Sequence, residues 1–146
     1  MQKQDNFSRT LEYVLATPKT KRQVEQYLRR KQIDPDEAED IIKRLVDLNY
    51  INDAVYAELF TQSKSTKMGK RVIKSKLFMR GVSSELIEQE VSKIEDQTEL
   101  CKYTAEKYMR NKTRDIKTLN KLFGHLLNKG FGSEEIQEVM KEYRGQ

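Results

Sequence analysis

The stretch GKRVIKSKLFMRGVSSELIEQEV, residues 69–91, decides the fold. Two pairs of apolar residues in it have the four-residue spacing of one helix face: Ile73 with Leu77, and Ile87 with Val91. Gly81 suits the left-handed residue that follows a helix, and Ser83 or Ser84 suits the cap that begins the next helix. The stretch therefore predicts a helix, a turn and a second helix.

The same pattern returns every 49 residues along the chain. Written in rows of 49 without a gap, the sequence has six columns that are apolar in all three rows: Val24/Ile73/Leu122, Leu28/Leu77/Leu126, Ile33/Val82/Phe131, Ala38/Ile87/Ile136, Ile42/Val91/Met140 and Leu45/Ile94/Tyr143. Hydrophobic residues make up only 36% of the composition, so these columns, selected for their match, are far more apolar than composition alone would give. Their helical spacing indicates the core of a repeated unit.

The segments between the paired helices carry matching stop and start signals. Gly130 aligns with Gly81, but the first row has Gln32 at this position, so we expect its helix to end differently. Asp34 provides a cap followed by a proline in the first row, and Ser133 aligns as the cap in the third. Each row therefore contains a helix, a turn and a helix.

A further helix precedes each pair. The register continues through three more helical segments: 7–16, 53–64 and 96–110. We predict an all-α fold of three tandem three-helix repeats of about 49 residues, bounded at 1–48, 49–95 and 96–146. Because one such unit has little core of its own, the units should stack around a shared buried spine into one elongated, curved molecule.

Composition narrows the class and the location of the protein. Only 6 Gly and 2 Pro occur in 146 residues, and charged residues make up 35%, a balance typical of helical proteins. No apolar run is long enough for a membrane span, and no basic start leads into a cleavable apolar segment. The lone Cys101 and the lone His125 supply neither a disulfide nor a metal cluster. We expect a cytoplasmic protein that uses no metal or cofactor.

Basic residues concentrate on the first helix of each predicted pair. Residues 19–32 hold six bases and one acid, residues 64–80 seven bases and no acid, and residues 102–121 seven bases and two acids. The second helix of each pair is acidic. If the repeats stack, the bases form a ridge able to follow a phosphate backbone. The bases predicted to bind nucleic acid or a filament are Arg29, Arg30, Lys64, Lys67, Lys70, Arg71, Lys74, Lys76, Arg80, Lys117 and Lys121.

Plainer explanations of these charges exist. A solvated face keeps an elongated protein soluble, and acids in the first turn of a helix stabilise its dipole. The acid-free stretch 65–80 favours phosphate binding over the first explanation. Aromatic residues near the bases are few and tryptophan is absent, so stacking on nucleic-acid bases is not indicated.

No residue pattern indicates catalysis. Gly69-Lys70-Arg71 lacks the upstream glycine spacing and the hydroxyl residue of a phosphate-binding loop. We expect His125 to pack on a helix with no nucleophile nearby, and Cys101 to be a small buried hydrophobe. Acid pairs such as Asp36 with Asp40 resemble neither a calcium loop nor a two-metal nuclease site, so a nuclease is the weakest alternative. The protein is predicted not to be an enzyme.

Two stretches resemble the central signature of the RecX family. In the first, an aromatic-isoleucine pair precedes an acid, an aromatic and an alanine; the matching residues are Tyr50, Ile51, Asp53, Tyr56 and Ala57. In the second, a glycine, a base and aliphatic residues precede a basic-glycine turn; the matching residues are Gly69, Arg71, Ile73, Leu77, Arg80, Gly81 and Val82. Asn52 departs by replacing a first acid, and Gln32 stands where the family often has glycine. Weaker similarity extends over the first and third repeats.

The resemblance implies a cytoplasmic, non-enzymatic regulator of DNA repair and recombination. Such a protein would lodge in the groove of the RecA recombinase filament on DNA and suppress its ATPase and strand-exchange activity. The implied partners are the RecA filament and the DNA phosphate backbone, and we expect a monomer. The residues alone leave open an autonomous DNA-binding helical-repeat protein, or a generic helical scaffold. Some family members have extra segments, so this chain is either a fragment or a short member.

Overall fold

The computed structural model describes residues 5–145, and over these residues it contains helices and no strands. The helices are α1 (Asn6–Ala16), α2 (Lys21–Arg30), α3 (Pro35–Asp47), α4 (Asp53–Lys64), α5 (Lys70–Met79), α6 (Ser84–Val91), α7 (Thr98–Met109), α8 (Ile116–Asn128) and α9 (Ser133–Tyr143). Helices α1–α3 form the first unit, α4–α6 the second and α7–α9 the third. The all-α prediction of three three-helix repeats is confirmed.

Two of the three helix caps predicted from the sequence are confirmed. Asp34 caps α3, with its carboxylate accepting hydrogen bonds from the first-turn N–H groups, and Pro35 follows. Ser83 caps α6 by accepting from the N–H of Leu86. The prediction of Ser133 as a cap is wrong: α9 starts at Ser133 itself, and Gly132 is the capping residue.

The turn between the paired helices has the same backbone conformation in all three units. Gly81 and Gly130 have positive φ angles of 86° and 94°, as predicted. Gln32 also has a positive φ, 58°, so the expectation that the first unit ends its helix differently is wrong. The repeat imposes the left-handed turn on a residue with a side chain, at a cost of roughly 1 kcal/mol.

The eighteen apolar column residues form the interior. Ile33, Ala38 and Ile94 are partly buried and pack against the core, and the others are buried. The buried residues divide into three clusters, one inside each unit. The expectation of one shared spine is therefore wrong, because each unit closes around its own core and meets its neighbour through polar helix ends.

The molecule is extended. Its accessible surface of 9989 Å² exceeds the value of about 7,800 Å² typical of a compact monomer of 17.3 kDa. The predicted elongation is consistent with this surface, and curvature stays a prediction. Among the described helices, none combines the length and apolar character needed to cross a bilayer.

Gly130, in the turn of the third unit, must be glycine because neighbouring atoms leave no room for a Cβ and because its φ angle is positive. A Cβ on Gly130 would lie 2.6 Å from the backbone nitrogen of Val72 in the second unit. We expect Gly130→Ala to lower the free energy of unfolding by about 2–4 kcal/mol, measured by urea denaturation. The matched control is Gly124→Ala in α8, where a Cβ meets no atom within 4 Å, and it should stabilise by about 0.5–1 kcal/mol. Equal effects of the two substitutions would contradict the close approach.

A candidate interface on the middle helices

The middle helices of the three units, α2, α5 and α8, meet end to end. The N–H of Gly69, before α5, donates to the carbonyl of Lys129, after α8, at 2.8 Å. The hydroxyl of Thr20, before α2, donates to the carbonyl of Arg80, after α5, at 2.5 Å. Thr20 and Gly69 are 49 residues apart, and so are Arg80 and Lys129. Equivalent positions therefore join both pairs of neighbouring units, through a backbone N–H at one junction and a side-chain hydroxyl at the other.

These contacts satisfy the polar groups that helix ends leave free. The carboxyl end of α8 faces the amino end of α5, and the carboxyl end of α5 faces the amino end of α2, so the partial charges of the helix dipoles attract. The three helices contain 10, 10 and 13 residues. At 1.5 Å per residue, their summed length is about 50 Å.

A second contact at each junction comes from the start of the following unit. The carboxylate of Asp53, at the start of α4, accepts from the N–H of Lys21 at 2.9 Å. The amide oxygen of Gln97, before α7, accepts from the N–H of Lys70 at 3.0 Å. In both cases a side chain of the next unit completes the first turn of a middle helix.

Gln97 organises the junction between the second and third units. The side chain is 95% buried by area, with 5% of the residue exposed. Its amide nitrogen donates to the carbonyls of Ser65 at 3.0 Å and Met68 at 2.9 Å. Its backbone N–H donates to the Glu135 carboxylate, which also accepts from the N–H of Gly132. Sequence reasoning missed this residue, because glutamine has no distinctive spacing and its partners are mostly backbone atoms.

Most residues of the two family-like stretches lie in the core or at the junctions, whereas the side chains of Tyr50 and Arg71 are exposed. A Cβ on Gly69 would come 2.2 Å from the carbonyl carbon of Gly130, and a Cβ on Gly81 would come 2.5 Å from Cβ of Arg22. In the first stretch, Ile51 and Ala57 are buried, and Tyr50 is 44% exposed. The Asp53 carboxylate accepts a hydrogen bond from the first turn of α2, and the Tyr56 hydroxyl accepts one from Arg80. These stretches thus carry structural residues.

The predicted basic residues divide into two groups. Exposed bases with no described carboxylate within 4 Å are Arg29, Arg30, Lys67, Arg71, Lys76, Lys117 and Lys121. The others are engaged or partly covered: Lys74 pairs with Glu88 at 2.7 Å, Arg80 lies 4.5 Å from the Phe60 ring centre, Lys64 lies 5.9 Å from the same ring, and Lys70 is half-buried. The first group is available to a partner.

The exposed bases form a broad surface on the middle helices. On α2, helical geometry places Arg29 and Arg30 away from the buried Val24 and Leu28. On α5, Arg71 lies away from the core, whereas Lys74 and Lys76 occupy the two flanks. We call the exposed bases of α2, α5 and α8, together with Lys67, the basic surface.

Several acids of the third helices have structural roles. Glu88 of α6 reaches Lys74 of α5, and Glu135 of α9 accepts hydrogen bonds at the Gln97 junction. Asp36 and Glu37 lie in the first turn of α3, where negative charge stabilises the helix dipole. In the second unit, therefore, an acid of the third helix pairs directly with a base of the middle helix.

The two residues considered for chemistry are packed against other residues of the third unit. Cys101 is fully buried, and burial, with the nearby Glu135 charge, raises its thiol pKa to about 12. His125 stacks on Tyr108 with ring centres 4.5 Å apart. Burial and then the charges of Lys129 and Lys112 lower its pKa. Within residues 5–145, no three His, Cys, Asp or Glu side chains gather as metal ligands.

The fold and this surface together define an all-α tandem-repeat protein whose exposed bases follow three helices joined end to end. Sequence models of three RecX domains match the chain unit by unit. Those described as the first, second and third three-helix domains of RecX match residues 7–45, 52–90 and 95–140. The chain belongs to the RecX family of regulatory proteins.

Relatives named Regulatory protein RecX are similar over most of the chain. The Clostridium acetobutylicum protein is 31% identical over 151 residues, covering 95% of this chain and 71% of the relative. The Clostridium botulinum protein is 36% identical over 130 residues, covering 85% and 61%. The Listeria welshimeri protein is 31% identical over 130 residues, covering 85% and 48%. The chain thus spans about half the length of the Listeria relatives it matches.

Solved structures share the fold. The crystal structure of RecX from Lactobacillus salivarius aligns with a TM-score of 0.81 at 30% identity, covering 94% of both chains. A second crystal structure, of a regulatory protein RecX, aligns with a TM-score of 0.81 at 23% identity, covering 92% of this chain and 70% of that one. The second likeness supports the fold alone.

The Gln97 side chain should be essential to the coupling of the second and third units. We expect Gln97→Ala to lower the free energy of unfolding by about 2–3 kcal/mol, because it leaves one buried N–H and two carbonyls without their partner. Urea denaturation measures this change. The control is Gln89→Ala on the exposed side of α6, with an expected effect below about 0.5 kcal/mol. A Gln97 effect no larger than that of the control would refute its role.

The Cys101 thiol should resist modification in the folded protein. Burial and its pKa of about 12 keep the thiolate population very small near neutral pH. We expect Ellman's reagent to label the native protein only as fast as the protein opens, and to label it at once in guanidinium. Rapid stoichiometric labelling without denaturant would show that this core is accessible.

Proposed function

We propose that this protein is a non-enzymatic modulator of the RecA recombinase. In this proposal it binds in the groove of the RecA–DNA filament and lowers the ATPase and strand-exchange activity of the filament, as the family resemblance implies. The observation that carries the proposal is the end-to-end joining of the middle helices. This arrangement holds the basic surface of all three units in one continuous extended body.

An extended body suits a filament better than a compact partner. The lysine and arginine side chains are carried by three joined helices with a summed length of about 50 Å, so they can reach phosphates or acidic side chains of several successive filament subunits. Each phosphate that a base neutralises releases condensed counterions, which favours binding at low salt. A ligand that spans several subunits would also resist the subunit movements that accompany ATP turnover.

The proposal includes a location and a state of assembly. The recombinase and its DNA are in the bacterial cytoplasm, so the protein would act there. One copy already presents the basic surface of three units, so it would act as a monomer. It would need no cofactor, because binding alone changes the activity of the filament.

An autonomous DNA-binding protein is the second candidate. The observation that favours it is the set of exposed bases with no described acidic partner, since these could bind duplex phosphates without any recombinase. Such binding would be salt-dependent and nearly independent of sequence. This second candidate function predicts that the protein binds naked DNA and that it lowers the ATPase rate of the recombinase only by competing with it for DNA.

The test is a titration of the DNA-dependent ATPase rate of the cognate RecA with this protein at substoichiometric ratios. We expect the rate to fall as the protein is added. Replacing three exposed bases of the second unit, Lys67, Arg71 and Lys76, with Glu should weaken the inhibition at least about tenfold, because attraction becomes repulsion. An equal reversal elsewhere, at Lys107, Lys141 and Arg144, is the control for net charge.

The outcomes separate the two candidates. Unchanged ATPase together with tight, salt-dependent binding to naked DNA would support the autonomous binder and reject the modulator. Inhibition that survives the second-unit reversal would remove these three bases from the mechanism. Equal loss in both triple variants would mean that net charge alone, and not the basic surface, governs the effect.

A further inference from the structure

The first unit has an open groove between α2 and α3, at a place where an ion pair joins the corresponding helices of the second unit. In the second unit, Lys74 of α5 bridges to Glu88 of α6 at 2.7 Å. The residues 49 positions earlier are Glu25 of α2 and Glu39 of α3, and both are exposed. Two carboxylates repel each other at the positions where the second unit has an ion pair. Neither has a described basic nitrogen within 4 Å.

The floor of this groove is also incompletely filled. Ala38 stands where the other units have Ile87 and Ile136, which are 4% and 0% exposed. The smaller side chain leaves Ile33 only partly buried and Val46 42% exposed. The result is a groove of about 720 Å³ with an apolar floor. The volume is within the range of pockets that take up a ligand or an anchoring side chain.

The position of the unit does not by itself explain the opening. The third unit also lies at an end of the array, yet its Phe131, Ile136 and Met140 are at most 1% exposed. The first unit differs through its own residues, Glu25 and Ala38, and not only through a missing neighbour. The groove is thus a local feature of sequence.

We propose that the groove lined by Glu25, Ile33, Ala38, Glu39, Ile42 and Val46 docks a segment of the partner protein. The segment places an apolar side chain on the floor and a lysine or arginine between Glu25 and Glu39. This cation takes the place that the Lys74 ammonium occupies in the second unit. The inference rests on the proposed function, in which the partner protein is the RecA filament.

The groove lining carries two acids and three bases, and this mixed charge fits a protein segment with both signs better than a uniformly negative phosphate backbone. A phosphate placed between two carboxylates would be repelled, whereas an ammonium or guanidinium would pair with both. Lys21, Arg29 and Lys43 also line the groove, so acidic side chains beside the partner's cation can pair with them. The groove would therefore bind protein, while the bases of α5 and α8 and Lys67, none of which lines the groove, are available to bind phosphate.

Two substitutions close the groove with residues that the fold already uses at the same positions. Ala38→Ile copies the floor of the other two units, and Glu25→Lys copies the lysine of the Lys74–Glu88 pair. The control is Glu106→Lys on the exposed face of α7, which changes the net charge equally and lies outside the groove. All three variants should unfold cooperatively within about 3 °C of the parent protein.

The measurement is cosedimentation with filaments of the cognate RecA on single-stranded DNA, held by a slowly hydrolysed ATP analogue. We expect Ala38→Ile and Glu25→Lys each to raise the dissociation constant at least about tenfold, and Glu106→Lys to change it less than about twofold. Such a result for both groove variants would support the docking site.

Other results overturn the inference in distinguishable ways. If the parent protein inhibits the ATPase and both groove variants bind filaments as it does, the groove is not the docking site and the proposed function stands. If the parent protein neither binds nor inhibits, the proposed function fails, and the inference fails with it. If sedimentation velocity shows a dimer that Glu25→Lys dissociates, the occupant is a second copy of this chain.

Discussion

The structure depends on the contact between the end of one middle helix and the beginning of another. The carbonyl at Lys129 accepts from Gly69, and the carbonyl at Arg80 accepts from Thr20. This contact fixes the repeat length, because the left-handed turn after one middle helix must lie next to the first residue of the middle helix in the preceding unit. It also explains why a glycine is needed at Gly130, where any Cβ would collide with the preceding unit. Since the units have separate cores, these polar ends carry the coupling between them.

Most of the fold could be predicted from the sequence because the repeat shows each pattern three times. Helical spacing of apolar residues gave the helices, and Gly81 and Gly130 gave the turns. The prediction for Gln32 was wrong, because the repeat imposes the left-handed turn even on a residue with a side chain, for which this conformation is unfavourable. Ser133 misled it as well, because Gly132 occupies the cap position; it has no side chain to accept a hydrogen bond, and its N–H donates to the Glu135 carboxylate instead.

The candidate interface was less predictable. The sequence located the bases, but it could not show that Lys74 and Arg80 are held by Glu88 and Tyr56 within the second unit. It also missed Gln97, whose partners are distant in sequence and mostly backbone atoms. Tertiary contacts of this kind have no periodic signal. The groove of the first unit could not be predicted for the same reason, because it is recognised only when the surroundings of Glu25 are compared with those of Lys74 in the structure.

The three units share one architecture and have diverged in their surfaces. The second unit carries the most concentrated positive charge, and the first unit carries an open groove with carboxylates on both rims. A rigid array would hold these two surfaces at a fixed separation. Binding to a regular filament could then engage protein and phosphate together, and each contact would raise the effective concentration of the other.

The central claim is that the middle helices of all three units face the partner as one surface. Amide hydrogen exchange of the protein, alone and bound to cognate RecA filaments on DNA, tests it most directly. The account predicts slower exchange on binding in α2, α5 and α8 together. Protection confined to α7 and α9, or no protection in any middle helix, would contradict it.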